Sequence, residues 1–167
     1  NPMSAAKVEL GKQLFFDPRL SVDGTVSCFS CHNVVTGGGD DDRATSVGVA
    51  GKTGNRSAPT VWNAAFFSAL FWDGRAVSLE EQAKGPLINP VEMAMPDHAA
   101  VIQRLRKIPG YASQFKAVFG DKDPVTIDNL ARAGGGKLCI KASTDMQLSL
   151  PSRSGTTRSA APASSPL

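Results

Sequence analysis

An all-α fold of short helices joined by long loops is predicted by three observations. Apolar residues recur at helical spacing in segments that open on cap residues. Residues 36–58 carry the run Gly37-Gly38-Gly39, three further glycines and Asp40-Asp41-Asp42, with almost no period. Between these regions lies one compact motif, Cys28-Phe29-Ser30-Cys31-His32.

The elements follow in order. Ser4 to Phe16 reads as an amphipathic helix with Ser4 as cap and Val8, Leu14 and Phe15 as apolar positions; Asp17-Pro18 ends it. The cysteine motif follows in a short loop. The 36–58 stretch is an irregular loop, whose consecutive aspartates lack the alternating spacing of a calcium loop. Pro59 to Phe71 reads as a short, largely buried helix, with Trp62 in the core. Ser78-Leu79-Glu80-Glu81 is a capping box opening another helix. Asp97 caps a helix to Lys107, with Val101, Ile102 and Leu105 on one face. Pro109 suits the first turn of the next, through Phe119. Thr126 starts a last helix that stops near Ala133. Gly134-Gly135-Gly136 then breaks the pattern, and residues 143–167, rich in Ser, Thr, Pro and Ala, read as disorder. The expected division is a folded domain over 1–133 and a tail over 134–167.

C-x-x-C-H is the attachment signature of a c-type haem. Two thiols three positions apart can add to the two vinyl groups of one haem, and the following His32 then lies where its imidazole ligates iron. A structural zinc site would need a second Cys/His pair, and a redox dithiol would need a βαβ setting; the chain offers only Cys139 and His98 besides the motif. One covalent haem c, held by Cys28, Cys31 and His32, is therefore expected. It would add a large apolar plate to the core of a one-domain chain of 167 residues, 41% of them hydrophobic.

No run approaches the roughly 20 apolar residues of a membrane span. Haem attachment of this type follows export, so a leader is expected to have been removed or left out of this sequence, and the compartment to be the bacterial periplasm. The net charge of +3 comes from the tail: residues 1–133 hold 14 Lys/Arg against 14 Asp/Glu, while Lys137, Lys141, Arg153 and Arg158 face only Asp145. A neutral body with a basic tail does not match nucleic-acid binding, which wants a basic patch on a folded face.

Six ordered blocks carry a resemblance: Leu10–Ser21 (LGKQLFFDPRLS), Ser27–Asn33 (SCFSCHN), Ala58–Phe66 (APTVWNAAF), Phe71–Ala76 (FWDGRA), Glu81–Leu87 (EQAKGPL) and Asn89–Met93 (NPVEM). With them the chain resembles the N-terminal half of the bacterial di-haem cytochrome c peroxidase family. The resemblance implies a cytochrome c-like domain in which hydrogen peroxide is reduced to water in the periplasm. A small cytochrome c or copper protein would supply electrons, and a homodimer is among the assemblies it allows. Carried residue by residue, it implies Cys28 and Cys31 as thioether anchors, His32 as proximal ligand and Glu92 as distal acid/base. It further implies Gln82 as a polar neighbour of peroxide and Trp72 as the aromatic that passes electrons between haems. Asp73 and Arg75 are read as braces of their turn.

Two departures matter. The family carries a histidine in the loop after Thr45-Ser46-Val47-Gly48, able to cover the iron; here Val49 and Ala50 fall at that point. The second haem domain is not expected, since the pattern is left near Gly134. Calcium, which in the family lies between the two domains, is therefore not counted on, and Ser57 stands where the family uses asparagine. The competing reading is a mono-haem electron carrier, with Met93 or Met95 as the second axial ligand, or His98 in that role. Bare residue chemistry makes the methionines gap-filling core residues and His98 a helix-start side chain.

Overall fold

The computed structural model describes residues 1–39, 43–120 and 122–134. Over these the chain is helical, with two isolated β-bridges and no strand. Six α-helices run in order: α1 (Ala5–Phe16), α2 (Cys28–Cys31), α3 (Leu79–Ile88), α4 (His98–Lys107), α5 (Tyr111–Phe119) and α6 (Ile127–Gly134). Single 3₁₀ turns lie at Pro18–Leu20, Val49–Gly51 and Ala64–Phe66.

Helix α1 starts where the cap predicts: Ser4 Oγ accepts from the Lys7 N–H at 3.2 Å. Its buried stripe is Lys7, Leu10, Gly11 and Leu14, the i, i+3, i+4, i+7 spacing of one helix face, with Phe15 beside it. A lysine in that stripe is tolerated because its Nζ donates to Pro2 O (2.6 Å) and Asn1 Oδ1 (2.9 Å). Burial, with Arg132 nearby, holds the Lys7 ammonium below its usual pKa. Gly11 is required by packing: a Cβ there would overlap the Ala133 carbonyl of α6. This lets α1 and α6 cross closely, and α3, α4 and α5 close the bundle around them.

Val101, Leu105 and Phe115 are fully buried in this core, joined by Leu10, Leu14, Leu87, Met93, Met95, Tyr111 and Leu130. Asp97 Oδ1 caps α4 through the Ala100 N–H at 2.7 Å, and Thr126 Oγ1 caps α6 through the Asn129 N–H at 3.1 Å. One buried polar pair spans the bundle. Tyr111 Oη donates to Asp17 Oδ2 at 2.7 Å, and Arg19 holds both Asp17 oxygens at 2.7–2.8 Å. Burial alone would raise the Asp17 carboxyl, but the hydrogen bonds from Arg19 and Tyr111 outweigh it and leave the group below its usual range.

Four expectations need correction. Pro59–Phe71 is not a helix: it forms extended chain, a left-handed Asn63 (φ 59°) and the 3₁₀ turn. Its apolar residues lack a helical period, and Phe66 is left 79% exposed. Trp62 is only half-buried and lies against Gly38 instead of in the main core. Pro109 precedes the Gly110 cap, so α5 begins at Tyr111. The Ser78 box is half formed, since Glu81 Oε2 accepts from Val77 N–H instead of Ser78 N–H. The Asp40–Asp42 run, Cys139 and the tail from Gly135 lie outside the described residues.

Candidate haem and peroxide site

The motif forms one helical turn, α2, where the sequence led us to expect a loop. Ser27 precedes it, and Ser30 Oγ accepts from the Ser27 N–H at 3.0 Å. That local bond favours the turn, which places Cys28 and Cys31 at its two ends. His32 follows as C-cap, its N–H donating to Cys28 O at 2.9 Å. The imidazole is held by a distant segment: Nδ1–H donates to Pro59 O at 3.0 Å. With Nδ1 as donor, Nε2 carries the lone pair that iron binding uses. Around the turn lies a small apolar cluster of Phe15, Val34, Phe29 and Val61.

The chain folds back to hold this geometry. Asn33 O accepts from Gly38 N–H (2.7 Å), and Gly38 O accepts from Val61 N–H (2.9 Å), so residues 33–39 carry the segment that presents Pro59 O. Gly38 takes a left-handed φ of 77°, and the Trp62 indole fills the space a Cβ would need. Trp62 Nε1 is buried with no hydrogen-bond acceptor. Two half-buried cysteines on one turn, an oriented imidazole and an unsatisfied indole donor fit a group bearing vinyl carbons, a metal and carboxylates.

Glu92 lies in the turn after α3. Its N–H donates to Asn89 O (3.0 Å), as does the Ala94 N–H (2.9 Å), while the Met93 N–H reaches back to Pro86 O of α3 (3.3 Å). Asn89 Nδ2 donates to Glu92 Oε1 at 2.6 Å. Burial raises the Glu92 pKa; the Arg75 charge and the Asn89 hydrogen bond oppose the rise without cancelling it. The 47–53 loop lies against this turn, with Val49 N–H donating to Glu92 O at 2.9 Å. The same loop meets the cysteine turn on its other flank, since Cys31 Sγ lies 3.9 Å from Val47 O. It therefore links the cysteine turn to the Glu92 turn.

Phe71–Ala76 is a tight reversal, closed by the Leu70–Ala76 bridge and by left-handed Phe71 (φ 63°) and Gly74 (φ 69°). Arg75 braces it, as expected, through both Asp73 oxygens (2.8 and 2.9 Å) and by lying 3.5 Å over the Phe71 ring. Its charge also reaches Glu92, a role that sequence reasoning missed. Trp72 is no core aromatic: it is 64% exposed, with Nε1 donating to Ser57 O at 2.8 Å. Gln82 is half-buried on α3, its N–H in the helix ladder to Ser78 O.

Val49 is buried (3% exposed) in the main core, and Ala50 beside it takes a left-handed φ of 55°. Met93 and Met95 are buried in the same core cluster. His98 Nε2 pairs with Lys84 O at 3.0 Å at the start of α4. Among the described residues no group of three or more His, Cys, Asp or Glu side chains gathers into a metal cluster, and no helix is long and apolar enough to cross a membrane.

The family model described as di-haem cytochrome c peroxidase matches residues 5–135. This chain belongs to that family. It is 51% identical over 133 residues to the cytochrome c551 peroxidase of Pseudomonas aeruginosa, a match covering 79% of this chain and 38% of the relative. It is 49% identical over 132 residues to the cytochrome c551 peroxidase of Nitrosomonas europaea, covering 79% and 39%. Among solved structures, a MauG-like protein associated with microbial copper homeostasis superposes with a TM-score of 0.76 at 30% identity, covering 90% of this chain and 46% of that one. The chain thus spans about two fifths of the length of these curated relatives.

Proposed function

We propose that residues 1–133 form the peroxide-reducing domain of a di-haem cytochrome c peroxidase, with the tail from 134 outside it. One haem c would be tethered by Cys28 and Cys31 and ligated by His32. When bound, the haem supplies the iron at which the peroxide O–O bond is broken and the electrons that complete the reduction to water. The protein's own contribution is positional and acid/base. Pro59 O keeps the His32 ring in the tautomer that presents Nε2. Glu92 takes the proton of the nearer peroxide oxygen and returns it to the leaving oxygen, which departs as water.

The observation that carries this reading is Glu92 itself. It is a partly buried carboxyl with a raised pKa, held by Asn89, on a turn joined through the 47–53 loop to the cysteine turn. Desolvation brings a carboxylate nearer the proton affinity at which it can both accept and donate. Gln82 on α3 is the polar side chain assigned to hold peroxide or a water. Exposed Trp72 is where electrons enter, from a second haem or from a small periplasmic cytochrome or copper protein. Val49 and Ala50 offer iron no lone pair, so peroxide should reach the metal without prior reduction. A calcium ion and a homodimer are no part of this proposal.

Mixing the haem-loaded ferric protein with hydrogen peroxide in a stopped-flow spectrometer tests it. A ferric spectrum with a high-spin component and a rapid peroxide-dependent change is the expected result. A purely low-spin spectrum, inert to peroxide, would instead favour a mono-haem electron carrier.

A further inference from the structure

We propose that Gly48 and Asn89 are positioning residues for Glu92, Gly48 at its backbone and Asn89 at its carboxylate. The inference rests on Glu92 being the acid/base and adds how its place is set. Asn89 Nδ2 holds Oε1 of the carboxylate at 2.6 Å. Asn89 is itself fixed, because its Oδ1 accepts from Val91 N–H at 3.1 Å and its carbonyl accepts from both Glu92 and Ala94. Swinging the amide away from Glu92 would also break its bond to the Val91 N–H.

The 47–53 loop fixes the Glu92 backbone. Val49 N–H donates to Glu92 O at 2.9 Å, and Lys52 Nζ donates to Pro90 O at 3.2 Å two residues upstream. The loop keeps its own shape through Gly48 N–H to Lys52 O at 2.7 Å and the Val47–Thr53 bridge. Burial of the Val49 side chain anchors it to the core. This approach is open only to glycine. A Cβ on Gly48 would overlap Val91 O and stand 2.6 Å from Glu92 O and 2.8 Å from Glu92 Cα. All three are backbone atoms, so the loop and the Glu92 turn would have to part. A shift of about 1 Å at a catalytic group can cost on the order of 100-fold in rate, which makes a steric wedge at Gly48 a kinetic lesion as well as a structural one.

The test uses the full chain matured with its haem, as parent, Gly48→Ala, Asn89→Ala and Glu92→Gln. Three quantities are compared: haem content by intact mass, the second-order rate with hydrogen peroxide, and the affinity of the ferric protein for fluoride. Fluoride adds to iron as the acid and leaves its proton on the distal base, so it reports the placement of Glu92 without turnover. Gly48→Ala and Asn89→Ala are expected to keep their haem, lose at least about tenfold in peroxide rate, and shift fluoride affinity in the direction that Glu92→Gln does. Both variants reacting and binding fluoride like the parent, with only a lowered thermal midpoint, would overturn the proposal while Glu92→Gln remained impaired. A Glu92→Gln variant at the parent rate would remove the acid/base reading, and the clamp with it. Should Gly48→Ala fail to mature, Asn89→Ala decides alone, since it removes atoms and forces nothing apart.

Discussion

His32 and Glu92 sit in one chain but are held by different kinds of contact. His32 ends a helical turn that its own neighbours build, through Ser27, Ser30 and the Cys28 carbonyl, with Pro59 O as a distant support of its ring. Glu92 stands in a turn built by its neighbours Pro86 and Asn89, but it is also tied to two separated segments: the 47–53 loop bonds its carbonyl, and the charge of Arg75 acts on its carboxyl. A locally built group can be recognised from residue spacing. A group that also depends on separated segments is only partly legible, because no short window of sequence places the 47–53 loop or Arg75 beside Glu92. The difference also sets how each half should fail. Damage to the first should abolish cofactor attachment, and damage to the second should leave the cofactor in place and slow the chemistry.

The largest effect should come from the cysteine turn. Cys28→Ala or Cys31→Ala removes one thioether, and the double variant both. Intact mass of the double variant should show polypeptide without the added haem. Retention of covalent haem would break the comparison at its proximal end. Next comes Gly38→Ala, which forces a Cβ onto a left-handed residue and into the Trp62 indole. It should cost about 1–3 kcal/mol, read as a lowered thermal midpoint, and loosen the segment that presents Pro59.

A core variant separates loss of stability from loss of site. Tyr111→Phe takes a buried hydrogen bond from Asp17 and should cost about 1–3 kcal/mol, or several degrees in midpoint, with the peroxide rate of the folded protein unchanged. The pH dependence follows from the sign of the shift. Asp17 has a lowered folded pKa, so its stabilisation is present above the usual carboxylate pKa and is lost as pH falls through the folded value. Tyr111→Phe should shrink that stabilisation, so the deficit in midpoint should narrow toward acid pH in thermal scans across the range. The smallest effect belongs to Trp72→Phe. Its indole is exposed and donates to a backbone carbonyl, so the first reaction with peroxide should keep its rate while donor-driven turnover slows.

The caps of α1, α4 and α6 and the C-x-x-C-H spacing are legible in the sequence because each is a local pattern, although the motif reads as a loop and folds as a helical turn. Ser4 and Asp97 bond to backbone N–H groups three residues on, and such bonds need no tertiary partner. The misread Pro59–Phe71 segment is the counterexample. It is apolar enough for a buried helix, but it is spent on presenting Pro59 O and seating Trp62, and it leaves Phe66 and Phe67 at the surface. Lys7 was missed in the α1 stripe because its Nζ is satisfied by Asn1 and Pro2, which fold back from outside the helix. Glu92 was read only through resemblance. On spacing alone it is a loop acid, and neither the amide of Asn89 nor the loop at Gly48 announces itself as its partner.

The central claim, that Glu92 is the acid/base of the peroxide reaction, is tested most directly by the pH profile of the second-order peroxide rate. Parent and Glu92→Gln should be compared at equal haem content. In the parent the rate should rise with pH through an apparent pKa above the usual carboxylate range, as burial requires, because the ionised carboxylate is the form that accepts the peroxide proton. In Glu92→Gln that step should vanish and the plateau rate should fall by roughly 10²–10⁴-fold. The same titration step and the same plateau in both proteins would contradict the account.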